Sequence, residues 1–236
     1  MIFFRSVLFS VFFYSSTVFL VVLGLPIFLM PARYASKLGS LWGCCVHLCL
    51  SIIPISFSIK GDIAKSKQVI YAVKHQSAWE TLILYWQLDS PVVVLKKELL
   101  SIPIVGQFMK RAGCIAVDRS AGMRALKKLQ EEALLAKKTG RSIMIFPQGT
   151  RVDPSDNATP YQIGVFSLYK TLLIPVIPVA LNSGCYWQNK RILKKPGIID
   201  VIFMLPIKIG LPRKQFMAKL KSDIENKCAE LDKKRI

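Results

Sequence analysis

Val69-Ile70-Tyr71-Ala72-Val73-Lys74-His75-Gln76-Ser77-Ala78-Trp79-Glu80-Thr81 is the stretch that decides how this chain is read. Its first five residues are a continuous apolar run, the signature of a strand buried on both faces. The polar residues after it end the strand, and Ser77-Ala78-Trp79-Glu80 fits a capping box that opens a helix. His75, one of only two histidines in 236 residues, therefore follows a strand end, with a carboxylate close by. Were residues 75 to 80 a single helix, the two side chains would point about 140° apart and could not meet. They meet only if His75 lies in the loop and the chain turns before the helix. Glu80 then has two possible roles. It can accept from the Ser77 N–H as a helix cap, or it can orient His75 as the partner of a general base.

The remaining chain repeats this alternation. The first helix runs through about Leu88, and strand-like runs follow at Val92–Leu95, Cys114–Val117, Ile143–Phe146, Ile174–Ala180 and Ile198–Leu205. A helix fills Ala121 to Lys138, apolar at Leu126, Leu129, Ala133 and Leu134 with lysines opposite. From Pro212 onward the pattern predicts a basic amphipathic helix on the surface. Continuous apolar strands separated by helices indicate an α/β fold, a mixed, mostly parallel sheet flanked by helices. In such sheets, residues at strand ends collect at one rim, where sites form. His75, Lys96 and Arg151 all fall at or near strand ends.

Ahead of this region lies apolar sequence. No charged residue occurs from Ser6 to Ala32, long enough for a span of about 20 residues. A second uncharged stretch runs from Leu38 to Ile59, interrupted by Pro54. The first stretch is too long for the roughly 7–15-residue apolar region of a signal peptide. Arg33 and Lys37 lie between the stretches, and Lys60, Lys65 and Lys67 follow the second. Cations at both ends are accommodated by a two-helix hairpin dipped into one leaflet, with two full spans as the alternative. The expected organisation is a membrane-embedded two-helix motif over residues 1–60 and a catalytic domain over 61–236, on the cytoplasmic face. Composition agrees: the chain is 52% hydrophobic, with 33 Lys+Arg against 14 Asp+Glu and a net charge of +19. A chain both apolar and basic fits an anionic membrane surface or anionic substrates. Nucleic acid is not expected as a partner, because no nucleic-acid motif accompanies the charge. The six cysteines form no Cys-x-x-Cys or other metal pattern, so no metal is expected.

A second motif, Phe146-Pro147-Gln148-Gly149-Thr150-Arg151, places an arginine beside a Gly-Thr turn at a strand end, where backbone N–H groups and a guanidinium can grip a phosphate. Between the two motifs lie Lys96-Lys97-Glu98-Leu99, Ile102-Pro103, Gly106 and Gly113-Cys114-Ile115-Ala116-Val117-Asp118-Arg119; after them comes Ile177-Pro178-Val179-Ala180-Leu181-Asn182-Ser183-Gly184. These four ordered blocks, over roughly residues 69 to 184, resemble the 1-acylglycerol-3-phosphate acyltransferase (lysophosphatidic acid acyltransferase) family of membrane glycerolipid enzymes. The resemblance implies acyl transfer from a thioester, acyl-CoA or acyl-acyl-carrier-protein, to the free hydroxyl of a lysophospholipid. It implies no metal, no cofactor and no covalent enzyme intermediate. His75 would be the base and Glu80 its partner. Arg151, Arg119 and Lys96 would hold the acceptor phosphate, while Gln148, Gly149 and Thr150 shape the acceptor site. A structural Asp118–Arg119 ion pair is the alternative for Arg119, and Lys97 could take the place of Lys96. Asn182, Ser183 and Gly184 would form a supporting polar turn. Two residues depart from the family pattern: Glu80 stands where aspartate is usual, and Gln148 where glutamate is usual. Glutamate keeps the charge, and Gln148 keeps an acceptor oxygen while gaining a donor.

Overall fold

The computed structural model describes residues 1–64 and 67–233. Lys65, one of the cations expected to mark the far end of the second apolar stretch, lies outside them. In chain order the elements are α1 (Ile2–Leu23), α2 (Arg33–Leu50), β1 (Ile55–Lys60), β2 (Ile70–Val73), α3 (Trp79–Gln87), β3 (Val92–Lys96), α4 (Val105–Arg111), β4 (Ile115–Val117), α5 (Gly122–Lys138), β5 (Ile143–Ile145), α6 (Gly164–Leu172), β6 (Val176–Leu181), β7 (Gly197–Phe203) and α7 (Arg213–Lys233).

The strands form one sheet in the order β1-β7-β6-β2-β5-β3-β4. β6, β2, β5, β3 and β4 run parallel to one another, and β7 is antiparallel to β6 but parallel to β1. The mixed, mostly parallel α/β architecture read from the sequence is therefore the one observed. The pleat sends alternate side chains to two cores. Tyr71, Val73, Met144, Ile177 and Val179 join Phe9, Val46, Ile83 and Leu84 beneath α1, α2 and α3. Ile70, Ala72, Ile143, Ile145 and Val176 join Leu129, Val165, Leu168 and Leu220 beneath α5, α6 and α7. Because five parallel strands sit side by side, the loops after β2, β3, β4, β5 and β6 all emerge at the same rim.

Four expectations need correction. The stretch Leu38–Ile59 is not one helix: α2 ends at Leu50 and β1 pairs with β7 from Ile55. Ile55-Ser56-Phe57-Ser58-Ile59 alternates with the period of a strand, which a count of charges does not register. The sheet thus begins inside the segment expected as a membrane motif, so a boundary at residue 60 cuts β1 from its partner. Second, α5 buries Ala125, Leu129, Ala133 and Ala136, while Leu134 is exposed. Its packed stripe is built on alanines, which let the helix lie close to the sheet. Third, α7 is more than a surface helix: Phe216, Leu220, Ile224, Cys228 and Leu231 are buried in the core. Fourth, α4 and α6 have no counterpart in the sequence reading.

At the N-terminus, α1 lays one face on the domain. Ser6, Phe9 and Leu20 are buried, whereas Phe4, Val11, Tyr14, Val18, Phe19 and Val22 are exposed. Residues 2–29 form the one segment, among the described residues, long and apolar enough to cross a membrane. An exposed apolar face of this length points to membrane association. α2 is instead committed to the protein, packing on α3 so closely that a Cβ at Gly43 would stand 2.5 Å from the Leu82 carbonyl oxygen.

Candidate active site

His75 lies in the loop between β2 and α3, and the chain turns before the helix as the spacing requires. Its Nδ1 is 2.9 Å from Glu80 Oε1. The same oxygen accepts from the backbone N–H groups of Gln76, at 2.6 Å, and Ser77, at 2.7 Å. Ser77 Oγ in turn accepts from the Trp79 N–H at 2.8 Å. The capping role and the pairing role of Glu80 are thus both present, on one oxygen. Its other oxygen accepts from the Ser183 hydroxyl at 2.7 Å. Burial pushes the carboxyl of the fully buried Glu80 upward, but His75, the Ser77 N–H and Ser183 together outweigh it and hold it below the usual carboxylate range. An ionised Glu80 fixes the proton of His75 on Nδ1 and leaves Nε2 with its lone pair.

The backbone of His75 is gripped from both sides by the second motif. Gln148 Oε1 accepts from its N–H at 3.1 Å, and the Val152 N–H donates to its carbonyl at 2.9 Å. The Phe146 ring stacks on the imidazole, with centroids 4.0 Å apart. These contacts join β2 to β5, which neighbour each other in the sheet. Gln148 is 2% exposed, with both ends of its amide occupied within the protein. It shapes the site from behind His75 and does not present a surface to an acceptor. Phe146 and Val152 were missed as functional from the sequence, because a ring stack and a backbone bond carry no motif of their own.

The cations occupy the same rim. Lys96 is the last residue of β3, Arg119 follows β4, and Arg151 follows β5. The side chains of Arg151 and Lys96 are exposed, with no hydrogen bond or ion pair to other described residues. Arg119 donates to the Gly149 carbonyl. Gly149 has φ +71°, and a Cβ there would stand 2.5 Å from Arg119 Nη2. Glycine is therefore required twice at this turn, for its conformation and for its lack of a side chain. The alternative pairing of Arg119 with Asp118 is not formed. Asp118 binds Lys97 at 3.1 Å and accepts from Ser120, and the Ser120 hydroxyl and Lys97 hold its carboxyl below the usual range. Lys97 is committed to that pair, leaving Lys96 as the free lysine of the two. In the supporting turn, Gly184 donates to Gln76 Oε1 at 3.0 Å, and Asn182 Oδ1 accepts from the Asp200 N–H at 2.9 Å.

Burial pushes Cys114 up to about 11 and Cys228 up to about 12, so both are protonated at neutral pH. An apolar cavity of about 130 Å³ lies between α1, α2, α3, α4 and the β3–β4 edge, lined by Leu20, Leu38, Trp42, Leu82, Leu95 and Phe108 among others. Thr81, on α3 directly after Glu80, is also in its wall.

The rim thus carries a partly exposed, carboxylate-paired histidine together with Lys96, Arg119 and Arg151. Residues 54–182, more than half of the chain, match the family model described as Acyltransferase. The chain is similar to the 1-acyl-sn-glycerol-3-phosphate acyltransferase of Pseudomonas aeruginosa, 33% identical over 183 residues that span 75% of this chain and 69% of that one. It is likewise similar to the enzyme of that name from Escherichia coli, 30% identical over 73% of this chain and 71% of the relative. The crystal structure of the 1-acyl-sn-glycerophosphate (LPA) acyltransferase PlsC from Thermotoga maritima shares the fold, with a TM-score of 0.77 and 98% of each chain covered at 21% identity. The chain belongs to the 1-acyl-sn-glycerol-3-phosphate acyltransferase family.

Proposed function

We propose that this enzyme transfers a fatty acyl chain from a thioester to the sn-2 hydroxyl of 1-acylglycerol-3-phosphate, giving phosphatidic acid. The observation that carries the reading is the His75–Glu80 pair, at a rim where the side chains of Arg151 and Lys96 have no partner among the described residues. Nε2 takes the proton of the acceptor hydroxyl, and Glu80 stabilises the resulting imidazolium. The acceptor oxygen forms a bond to the thioester carbonyl carbon, the C–S bond breaks, and the departing sulfur recovers the proton from His75. Arg151, Arg119 and Lys96 hold the acceptor phosphate and so bring its hydroxyl to Nε2. Gly149 and Thr150 form the turn that presents Arg151. The apolar cavity receives an acyl chain. No metal or cofactor enters this step.

The donor is acyl-CoA or acyl-acyl-carrier-protein, and both are anionic carriers suited to a chain of net charge +19. The same charge favours an anionic membrane over nucleic acid as the surface the protein works on, since apolar α1 accompanies it. In this reading α1 lies in one leaflet with its packed face against the domain, and the catalytic rim opens on the cytoplasmic side. Thioester consumption by the purified protein, with lysophosphatidic acid present or omitted, tests the activity. Consumption that ignores the acceptor contradicts it. Membrane pellets washed at high salt test the attachment: α1 keeps the protein in the pellet, whereas release by salt alone means electrostatic binding only.

A further inference from the structure

The groups behind His75 include a cluster that the catalytic step does not use. The side chain of Lys74 is 0% exposed, and its Nζ is 2.6 Å from Glu225 Oε2 on α7. It also donates to the Asp156 carbonyl at 3.0 Å. Glu225 Oε1 accepts from the Tyr161 hydroxyl at 2.8 Å and lies 3.5 Å from Gln148 Nε2. Gln148 Oε1 in turn holds the His75 N–H. A buried ammonium needs a charged partner, and a carboxylate that loses it leaves an uncompensated charge. Two consecutive residues of the catalytic loop therefore depend on one carboxylate, 151 and 150 positions downstream: Lys74 through its side chain, and His75 through Gln148.

We propose that Glu225 is a positioning residue for His75, and that the residues at 148 and 225 form a matched amide–carboxylate pair. This inference rests on the acyl-transfer reading above. A backbone N–H can only donate, so the oxygen of the Gln148 amide must face His75 and its NH₂ must face away. The acceptor it meets there is Glu225. A glutamate at 148 would also accept from His75, but it would set two carboxylates against each other across the 3.5 Å now spanned by the amide. Glutamine at 148, where the resembled family pattern has glutamate, is thus the residue that a carboxylate arriving from α7 requires. The C-terminal helix thereby becomes part of the base's support as well as of the core. Small displacements of a base from its proton are costly, so the effect of losing this support falls on turnover and not on acceptor binding.

The test is a double-mutant cycle on the full chain: Gln148→Glu, Glu225→Gln and both together. It is assayed with lysophosphatidic acid and whichever thioester the wild type consumes. Each single variant lowers kcat about tenfold or more with both KM values within about twofold, and the double variant, which restores one amide and one carboxylate, returns to within about threefold of wild type. Glu225→Gln strips Lys74 of its charged partner. The double variant keeps the charge of the cluster and carries the test if that single variant is unstable. Folded single variants with wild-type kcat, a double variant whose loss is the product of the single losses, or one that does not fold, each overturn the pairing. A wild type that consumes thioester without regard to lysophosphatidic acid contradicts the proposed function instead.

Discussion

The two halves of the site are built in opposite ways. Around Glu80 and the His75 backbone the polar atoms are partnered, although the nearby Gln76 Nε2 and Trp79 Nε1 are buried without a hydrogen bond. The carboxylate takes four hydrogen bonds, the imidazole is stacked, and the backbone is held at both N–H and C=O. Along the cationic rim the side chains of Arg151 and Lys96 stand exposed and unpaired among the described residues, while Arg119 is anchored on the Gly149 carbonyl. The difference fits the two tasks proposed for these residues. A base must hold one tautomer and one direction before the substrate arrives, so its order is built into the fold. A cation that grips a phosphate must have no carboxylate in its place beforehand, or binding would first have to break that pair.

Breaking the base half gives the largest effect. His75→Ala should lower kcat by roughly 10²–10⁴-fold while the melting temperature stays close to wild type, measured by thioester consumption on folded protein. Near-normal turnover would remove His75 from the chemistry. Gly149→Ala strikes where the halves meet. A side chain at φ +71° pressing on Arg119 should cost about 1–3 kcal/mol, and should appear as a raised acceptor KM and a lowered melting temperature. An unchanged acceptor KM would separate the Gly149 turn from phosphate binding. A smaller effect sharpens the electrostatic side. The Glu80 carboxyl is held below its usual range, so its ionised form contributes stability above its unfolded pKa. That contribution is lost as the pH falls through the lower folded value. The stability gap between wild type and Glu80→Gln should therefore narrow as the pH falls from above the ordinary carboxylate range through the lower folded value, in a series of thermal melts. A gap that stays constant would mean that Glu80 acts there by shape alone.

The sequence made the base half legible because its information is local. A buried strand, a capping box and the spacing from His75 to Glu80 predict a turn that joins the two, and the turn forms. The parallel strands were legible for the same reason, as continuous apolar runs. What stayed hidden depends on topology. Glu225 meets Lys74 across 151 positions, and no periodicity along α7 distinguishes that glutamate from its solvent-facing neighbours. Val152 acts through a backbone bond and Phe146 through a ring stack, neither of which leaves a spacing to read. β1 lies hidden in an uncharged stretch, since Ser56 and Ser58 alternate with apolar residues without adding a charge.

In the proposed mechanism one half of the site sets the rate and the other holds the acceptor. The most direct test is a titration of lysophosphatidic acid at fixed saturating thioester with two variants, Glu80→Gln and Arg151→Lys. The first removes charge behind the imidazolium and the second replaces a bidentate fork by a point charge. The account predicts that Glu80→Gln loses about 10²-fold or more in kcat with little change in acceptor KM. Arg151→Lys should raise the acceptor KM and recover most of its rate at saturation. A Glu80→Gln enzyme with normal kcat, or an Arg151→Lys enzyme whose loss lies wholly in kcat, would contradict that division of labour.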